Sequence, residues 1–460
     1  MTLQEYVDSL KGKRLAVLGV GISNTPLLDL LLSNGCDVTA CDKRTMEQMG
    51  EQGRQLLDRG CKLKLGEDYL EGLDQDVIFR TPGLMPFDPH LEAAREKGSL
   101  VTSEMEVFLS LCPCKVIAVT GSDGKTTTTT VISELLKAAG CRVHLGGNIG
   151  HPLLCDVPQM RPEDYAVLEL SSFQLHSMKC RTDVAVITNL TPNHLDKHKD
   201  FQDYIDAKRS IYMNQDRDGR LILNANDPHT PYYAGFAPGQ VSYFSDQKPV
   251  QRGTALIDGT LCWVSPDKTE PIVKAAEIRI PGQHNVQNYL AAFEAVRGLV
   301  SAEVCAQVAR DFPGVPHRME LVRELHGVKY FNDSIGSSPT RTIAGLRALP
   351  KKPIIICGGY DKHIPFDPLG DELCLRAKTV VLTGHTAQKI GAAITGSGNY
   401  AEHPVPILYA ADFKEAILTA SASAKEGDIV LLSPACASFD AFKNFEERGN
   451  RFKEIVMELE

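Results

Sequence analysis

Short runs of consecutive apolar residues alternate along the chain with Gly- or Ser-containing turns and stretches of helical period. The first run is 14–19 (RLAVLG), a helical pattern passes through 27–32, and a second run occupies 37–41. Runs at 77–79 and 100–102 extend the same predicted sheet, and the rhythm restarts at 115–120, continuing through 166–170 and 183–188. Between 241 and 280 it gives way to hairpin-like material (SYFS, ALIDGTLCWVS, EIRIPG). After Pro316 it resumes with runs at 328–331, 353–357, 378–382 and 428–432. Strands alternating with helices predict parallel sheets covered by helices on both faces. Three restarts predict three nucleotide-fold-like α/β domains, 1–112, 113–314 and 315–460, with joints near 112–113 and 311–316.

Composition narrows the class without naming a chemistry. A length of 460 residues fits two to four domains, and 43% hydrophobic with 23% charged residues argues against extensive disorder. Fifty-eight acidic against forty-nine basic side chains give a formal charge of -9. That balance offers no counterion-release drive towards nucleic acid and no polybasic membrane patch. No apolar stretch approaches the roughly 18 residues of a membrane span, and the polar residues 1–13 do not read as a secretory signal. The expectation is a cytoplasmic protein with no nucleic-acid or membrane partner. Its thirteen cysteines then read as free thiols, with Cys36, Cys41, Cys141 and Cys357 in or beside apolar strands. Cys112 and Cys114 form a C-x-C pair but lack a second pair at zinc-finger spacing, which argues against a metal there.

Ligands of such sheets bind beyond the carboxyl ends of the strands, so the residues after each run carry the functional reading. After the first comes Gly19-Val-Gly21-Ile22-Ser23-Asn24, a dinucleotide fingerprint with Asn in place of its third glycine, and Asp42 ends the next run at ribose-binding spacing. An NAD site, a purely structural turn and a different nucleotide all remain open on these residues. After 115–120 comes Gly121-Ser122-Asp123-Gly124-Lys125-Thr126-Thr127, opening a helix that runs to Gly140. Backbone N–H groups of such a loop cradle phosphate oxygens, the lysine reaches the β- and γ-phosphates, and the Thr126 hydroxyl can ligate Mg²⁺. Val119 stands where the first glycine of the usual pattern would be, yet Gly-Lys-Thr at a strand-to-helix turn predicts ATP binding.

Three further residues emerge near this edge. Glu169 lies in an apolar strand, where a carboxylate is costly unless paired or bound to metal. It is followed by Ser171-Ser172-Phe173-Gln174. His194 follows the run ending at 188. Lys208 falls in the centre of an apolar stripe, Phe201, Tyr204, Ile205, Ile211 and Tyr212, on a helix predicted over 201–212. The stripe alone admits a lysine that snorkels or pairs with Asp206 or Glu169, or one chemically modified to carry a metal-binding negative charge.

The ordered set Gly121–Thr126, Glu169 to Gln174, Asn189…His194-Leu-Asp196, Ala207-Lys208, His284-Asn285…Asn288 and His317-Arg318 resembles the Mur ligase family, ATP-dependent amide ligases of peptidoglycan precursor synthesis. Phe331-Asn-Asp333-Ser334 and the run from Ser433 through Ser438 to Phe445 resemble the branch that adds D-glutamate to UDP-N-acetylmuramoyl-L-alanine. The resemblance implies a Rossmann-like first domain holding the UDP-sugar, through Ile22, Ser23, Asn24, Asp42, Lys43, Arg44, Thr81 and Gly83. Asn148, Ser171, Gln174 and His194 would lie toward the sugar end. It implies a P-loop ATPase-like central domain with extra β-hairpins, where residues 121–127, Asn285 and Asn288 meet ATP. A Rossmann-like C-terminal domain would bring Arg318 and Asp333 to ATP and Lys362, Ser438, Phe439 and Phe445 to D-glutamate. Lys125, Glu169, His194 and Lys208 would be catalytic. Two Mg²⁺ ions would sit on Thr126, Glu169, His194 and a CO₂-derived carbamate on Lys208. A monomer is expected.

One departure touches amino-acid recognition. The family commonly reads Asn-Asp-Ser-Lys, its lysine facing a D-glutamate carboxylate, where this chain has Ile335. Arg341 in the same segment is the expected compensation. A folate-type glutamate ligase, a dehydrogenase built on Gly19 to Asp42 and a non-catalytic nucleotide switch are the competing classes.

Overall fold

The computed structural model describes residues 1–179, 181–191, 197–280, 282–361 and 364–460. The sequence expectations for His194 and Lys362 therefore lie outside the described residues. The chain forms two compact units, Met1–Phe312 and Pro313–Glu460, and three sheets.

The first sheet is parallel, in the order Lys62–Leu65, Asp37–Asp42, Arg14–Leu18, Val77–Phe79, Leu100–Thr102. The strand order reverses beside Arg14–Leu18, which places a crevice at the loop Gly19 to Asn24. Leu15 to Leu18 are fully buried because helices cover both faces, and this gives the unbroken apolar run its reason.

The second sheet, in the same unit, has nine strands. Its parallel part runs Gln240–Ser245, Arg220–Asn224, Val184–Ile187, Lys115–Thr120, Tyr165–Glu169, Val143–Gly147. Gly253–Ile257 pairs parallel to Gln240–Ser245, and Thr260–Ser265 and Lys268–Lys274 extend that side as antiparallel ribbons. These ribbons are the hairpin material between 241 and 280. The third sheet forms the second unit, in the order Glu320–Leu325, Val328–Asn332, Ile429–Leu432, Ile354–Cys357, Thr379–Leu382, Ile407–Tyr409. It is parallel apart from the edge hairpin Glu320–Leu325/Val328–Asn332.

The sequence pattern misses several strands. Val143–Gly147 contains a histidine and two glycines and Lys62–Leu65 alternates lysine with leucine, so neither shows a continuous apolar run, and Ile407–Tyr409 is a three-residue, half-exposed edge strand. The helix predicted over 201–212 ends at Arg209 and continues as turns, which keeps Lys208 in its last turn.

Candidate active site

The phosphate loop is shaped by two glycines in the left-handed region. Gly121 has φ 147° and Gly124 φ 77°; a Cβ at Gly121 would run into the Thr188 hydroxyl, and one at Gly124 into the Asn288 amide oxygen. Gly124 precedes the first turn of the helix Lys125–Ala138, so the free N–H groups of that turn point into the loop. Hydrogen bonds fix the rest. Asp123 N–H donates to Asn189 Oδ1 at 2.9 Å, the Thr188 hydroxyl donates to Asp123 O at 2.6 Å, and Ser122 Oγ meets the Tyr204 hydroxyl at 2.9 Å. Lys125 Nζ donates to the carbonyls of Gly121 and Ser122 at 3.0 and 2.9 Å, so its charge lies over the loop. Asn285 and Asn288 sit buried on the helix Gln283–Ala295, joined by a 3.1 Å bond from Asn288 Nδ2, with Thr128 donating to Asn288 Oδ1.

Glu169 ends the strand next to Lys115–Thr120 and is 1% exposed. Its Oε1 accepts from Asn148 Nδ2 at 2.8 Å, and its Oε2 is buried with no hydrogen-bond partner among the described residues. A buried carboxylate oxygen left unmatched costs of order 1–3 kcal/mol or more, and a cation offsets that cost directly. Lys208 is 1% exposed. Its Nζ donates to Gly121 O at 3.0 Å and Thr120 Oγ1 at 3.4 Å and lies 4.4 Å from the Tyr204 ring centroid. Burial, reinforced by the charge of Lys125, lowers the Lys208 ammonium well below its ordinary range, although Asp123 and Glu169 pull the other way. Burial of this kind favours the neutral amine, the form that is nucleophilic. Thr126 is buried in the first helical turn, with Thr127 beside it. Thr126, Glu169 and Lys208 thus form a hard-oxygen and amine set at one strand edge, which fits Mg²⁺ once the amine carries an oxyanion.

Several predicted ligand residues also have internal partners. Asn24 is 1% exposed and donates to Leu18 O and Gly19 O at 2.9 and 3.1 Å, closing the loop from inside. Asp42 accepts from Val20 N–H at 2.7 Å and from the Arg44 guanidinium at 2.9 and 3.0 Å. Its burial favours the neutral acid, but the Arg44 and backbone bonds outweigh that and hold it below the usual carboxylate range. Ile22 is exposed, Lys43 pairs with Glu67, and the Thr81 side chain packs where a Gly19 Cβ would point; Ser23 and Gly83 lie in the adjoining loops. Ser171 and Gln174 form a reciprocal capping box on the short helix Ser172–Leu175, so part of that motif serves the turn itself.

Within the second unit, Asp333 is buried and accepts from Ser433 Oγ at 2.7 Å; burial pushes its carboxyl up to about 6. Arg318 follows His317, which has φ 62°, and its buried Nε has no partner among the described residues. Arg341 Nη1 donates to the Ile335 carbonyl at 3.3 Å, which lays the guanidinium along the residue that replaces lysine. Ser438 is buried, Phe439 is exposed against Tyr360, and Phe445 opens the helix Phe445–Glu458.

Two buried arginines escape sequence reasoning. Arg448 donates to Ser334 Oγ and O and to the carbonyls of Cys436 and Ala437, tying together the loops at the strand ends of the third sheet. Its place on the stripe of Phe452, Ile455 and Val456 is the signal that could have found it. Arg80 donates to Leu84 O at 3.1 Å, Phe173 O at 3.2 Å and Ser177 Oγ at 2.8 Å, joining the carboxyl end of the strand Val77–Phe79 to the short helix Ser172–Leu175 and the turn after it.

The phosphate loop, Glu169 and Lys208 all lie within 119–296, which match the family model described as Mur ligase middle domain, and 317–436 match the Mur ligase, glutamate ligase domain. The chain is 48% identical to the UDP-N-acetylmuramoylalanine–D-glutamate ligase of Acetivibrio thermocellus over 100% of its own length and 99% of that protein's. The chain belongs to the Mur ligase family. A relative of the same printed name from Clostridium novyi is 47% identical over 100% of this chain and 99% of its own. Among solved Mur ligase structures, the UDP-N-acetylmuramate-alanine ligase of Thermotoga maritima aligns with TM-score 0.58 and 18% identity over 97% of this chain and 99% of that one. The MurF ligase of T. maritima in complex with ADP aligns with TM-score 0.53 and 18% identity, over 98% and 96%. At such identities these structures show the Mur ligase fold alone. No helix among the described residues is long and apolar enough to cross a membrane.

Proposed function

We propose that this Mur ligase joins D-glutamate to UDP-N-acetylmuramoyl-L-alanine at the expense of ATP, in the cytoplasm and as a monomer. The single observation that carries the substrate assignment is identity of 46–48% across essentially the whole chain to relatives that bear that ligase name. The phosphate loop facing a buried carboxylate and a buried lysine supports the chemistry. Residues 1–112 are read as the UDP-sugar domain, 113–314 as the ATP domain and 315–460 as the amino-acid domain.

A carboxylate at neutral pH is a poor electrophile, so amide formation needs activation. The γ-phosphoryl group of ATP passes to the alanine carboxylate, giving an acyl phosphate and ADP. The D-glutamate amine then attacks the acyl carbon, loses a proton, and inorganic phosphate leaves. The loop N–H groups of residues 121–127 and Lys125 hold the phosphates and offset charge developing on the transferred group. Asn285 and Asn288 brace the loop and would border the nucleotide. Glu169, through its unmatched Oε2, Thr126, His194 and carbamylated Lys208 would hold two Mg²⁺. Those ions supply charge neutralisation between ATP and the acceptor carboxylate. The buried Lys208 ammonium would first give up one proton; the neutral amine would then add to CO₂ with loss of a second, so that a cation beside Lys125 becomes a carbamate oxyanion. Arg318 and Asp333 are read as further ATP contacts, and Lys362, Ser438, Phe439 and Phe445 as the D-glutamate site, with Arg341 in place of the lysine lost to Ile335.

The test is phosphate release by the purified protein with the UDP-sugar, D-glutamate, Mg²⁺ and ATP. Release that requires both co-substrates is expected. Release unaffected by omitting either one would rule the ligase reading out.

A further inference from the structure

The pair Cys112 and Cys114 gains partners that no sequence spacing shows. It lies at the amino edge of the nine-stranded sheet, opposite the phosphate loop, where three adjacent parallel strands begin: Lys115–Thr120, Tyr165–Glu169 and Val143–Gly147. Lys115 is level with Tyr165, and Tyr165 with Val143. That register sets Cys114 and Asp164, each one residue ahead of its strand, side by side, with His144 one residue into the third. The Cys114 sulfur, a His144 ring nitrogen and an Asp164 carboxylate oxygen all lie within 4.8 Å of one another. Cys114 and Asp164 are buried, and the His144 side chain is 10% exposed. Cys112 stands two residues before Cys114, and the two thiols influence each other electrostatically, so Cys112 is the candidate fourth donor beside the cluster.

We propose that Cys112, Cys114, His144 and Asp164 bind one thiophilic divalent cation of the Zn²⁺ class at a structural site distinct from the catalytic metals. Two sulfurs, one imidazole and one carboxylate are a tetrahedral zinc donor set. With Zn–S of about 2.3 Å and Zn–N of about 2.0 Å, ligand atoms stand roughly 3.3–3.8 Å apart, so the Cys114, His144 and Asp164 donors, within 4.8 Å of one another, need only small side-chain adjustments, the His144–Asp164 pair opening slightly. The surroundings suit the bound state. The Arg161 backbone N–H donates to Asp164 Oδ2 at 3.1 Å and also meets the Cys114 sulfur, as outer partners of a zinc thiolate do. Two thiolates and a carboxylate exceed the ion's charge by one, and Arg142, with Nε 3.8 Å from Asp164, offsets the excess. Asp183 is the other charge near Cys112. His144 Nε2 lies 2.9 Å from Asp164 Oδ2, so ligation through Nε2 leaves a neutral ring with its proton on Nδ1. An ordinary thiol is protonated near neutral pH and ligates metal as the thiolate, so binding through two cysteines displaces two protons. Residues 112–114 connect the helix Glu104–Leu111 to the strand Lys115–Thr120, so the ion pins the joint between the first two sheets.

The test uses Co²⁺ on the full-length, reduced protein. The expected result is one equivalent bound with a thiolate-to-cobalt charge-transfer band, tetrahedral d–d absorption and release of about two protons per ion. Cys114→Ser should at least halve the charge-transfer band and weaken Co²⁺ binding at least tenfold while retaining Mg²⁺-dependent phosphate release. His144→Gln should weaken Co²⁺ binding at least tenfold and stands in if Cys114→Ser does not fold. No thiolate band in the wild type, or wild-type Co²⁺ affinity in either folded variant, overturns the site.

Discussion

Asn148 holds one oxygen of Glu169 at 2.8 Å, while the other oxygen of that buried carboxylate meets no donor among the described residues. Asn148 stands one residue beyond the strand Val143–Gly147, beside the end of the strand Tyr165–Glu169, and its N–H also donates to the Glu169 carbonyl at 2.7 Å. Asn148 therefore fixes the carboxylate through one oxygen and leaves the other unmatched for a cation.

A supporting bond of this kind tunes the metal more than the sugar. Asn148→Ala should weaken the apparent Mg²⁺ affinity by about 10–100-fold with little change in KM for the UDP-sugar. Mg²⁺ titrations of the initial rate at saturating UDP-sugar separate the two roles. A raised UDP-sugar KM with an unchanged Mg²⁺ curve would return Asn148 to direct sugar contact.

Lys208 carries the carbamate reading. Its buried amine should give a carbamate carbon resonance when the protein is incubated with ¹³C-bicarbonate, and Lys208→Ala should lack it. The same substitution should lower kcat by roughly 10²–10³-fold or more. Full activity in Lys208→Ala would sink the assignment.

Arg341 lies along Ile335 and is the cation proposed to meet a D-glutamate carboxylate. Arg341→Ala should raise KM for D-glutamate by roughly tenfold or more, the worth of a charge-assisted hydrogen bond, and leave KM for ATP unchanged. Adding Ile335→Lys to that variant should recover much of the loss. An unchanged KM for D-glutamate in Arg341→Ala would remove it from the site.

Glu104 offers a test of stability against pH. It is buried at the start of the helix Glu104–Leu111, accepts from Leu154 N–H at 2.8 Å, and burial raises its carboxyl from 4.5 to about 7. The folded state therefore binds the proton more tightly than the unfolded one. The stabilisation is fully present below about pH 4.5 and is lost as pH rises through 7. Glu104→Gln should be stabilised relative to wild type above pH 7, by at most ~3 kcal/mol, and equal to it near pH 4. Parallel denaturation curves at the two pH values decide the point.

The parts legible in the sequence are those whose partners are close along the chain. Gly121 to Thr127 announces a phosphate loop because strand, glycines, lysine and helix are contiguous, and the stripe around Lys208 gives its burial from helical period alone. What stays hidden depends on which strands lie side by side. Nothing in the order of residues puts Asn148 against Glu169, or His144 and Asp164 against Cys114. The strand Val143–Gly147, which carries His144 and leads into Asn148, is too polar and glycine-rich to announce itself. Asn24 reads as a ligand residue by its place in a fingerprint; its amide nitrogen goes to the carbonyls of Leu18 and Gly19, while its Oδ1 is left unmatched among the described residues. Arg80 and Arg448 are invisible for a similar reason: an arginine is read as surface until the carbonyls that surround it are known.

Arg80 sets a length. Its buried guanidinium spans from the carboxyl end of the strand Val77–Phe79 to the Phe173 carbonyl, four residues beyond Glu169. The loop read as gripping the diphosphate and the carboxylate read as gripping the metal therefore belong to one rigid gauge. On the proposed function, a nucleotide-linked acid is measured as well as recognised, since its reacting carboxylate arrives only if the stretch between diphosphate and lactyl-alanine matches that span. Analogues shortened by one residue would keep the uridine contacts and fall short of the phosphate loop, and Arg80→Leu would blur that discrimination without touching any atom of the substrate.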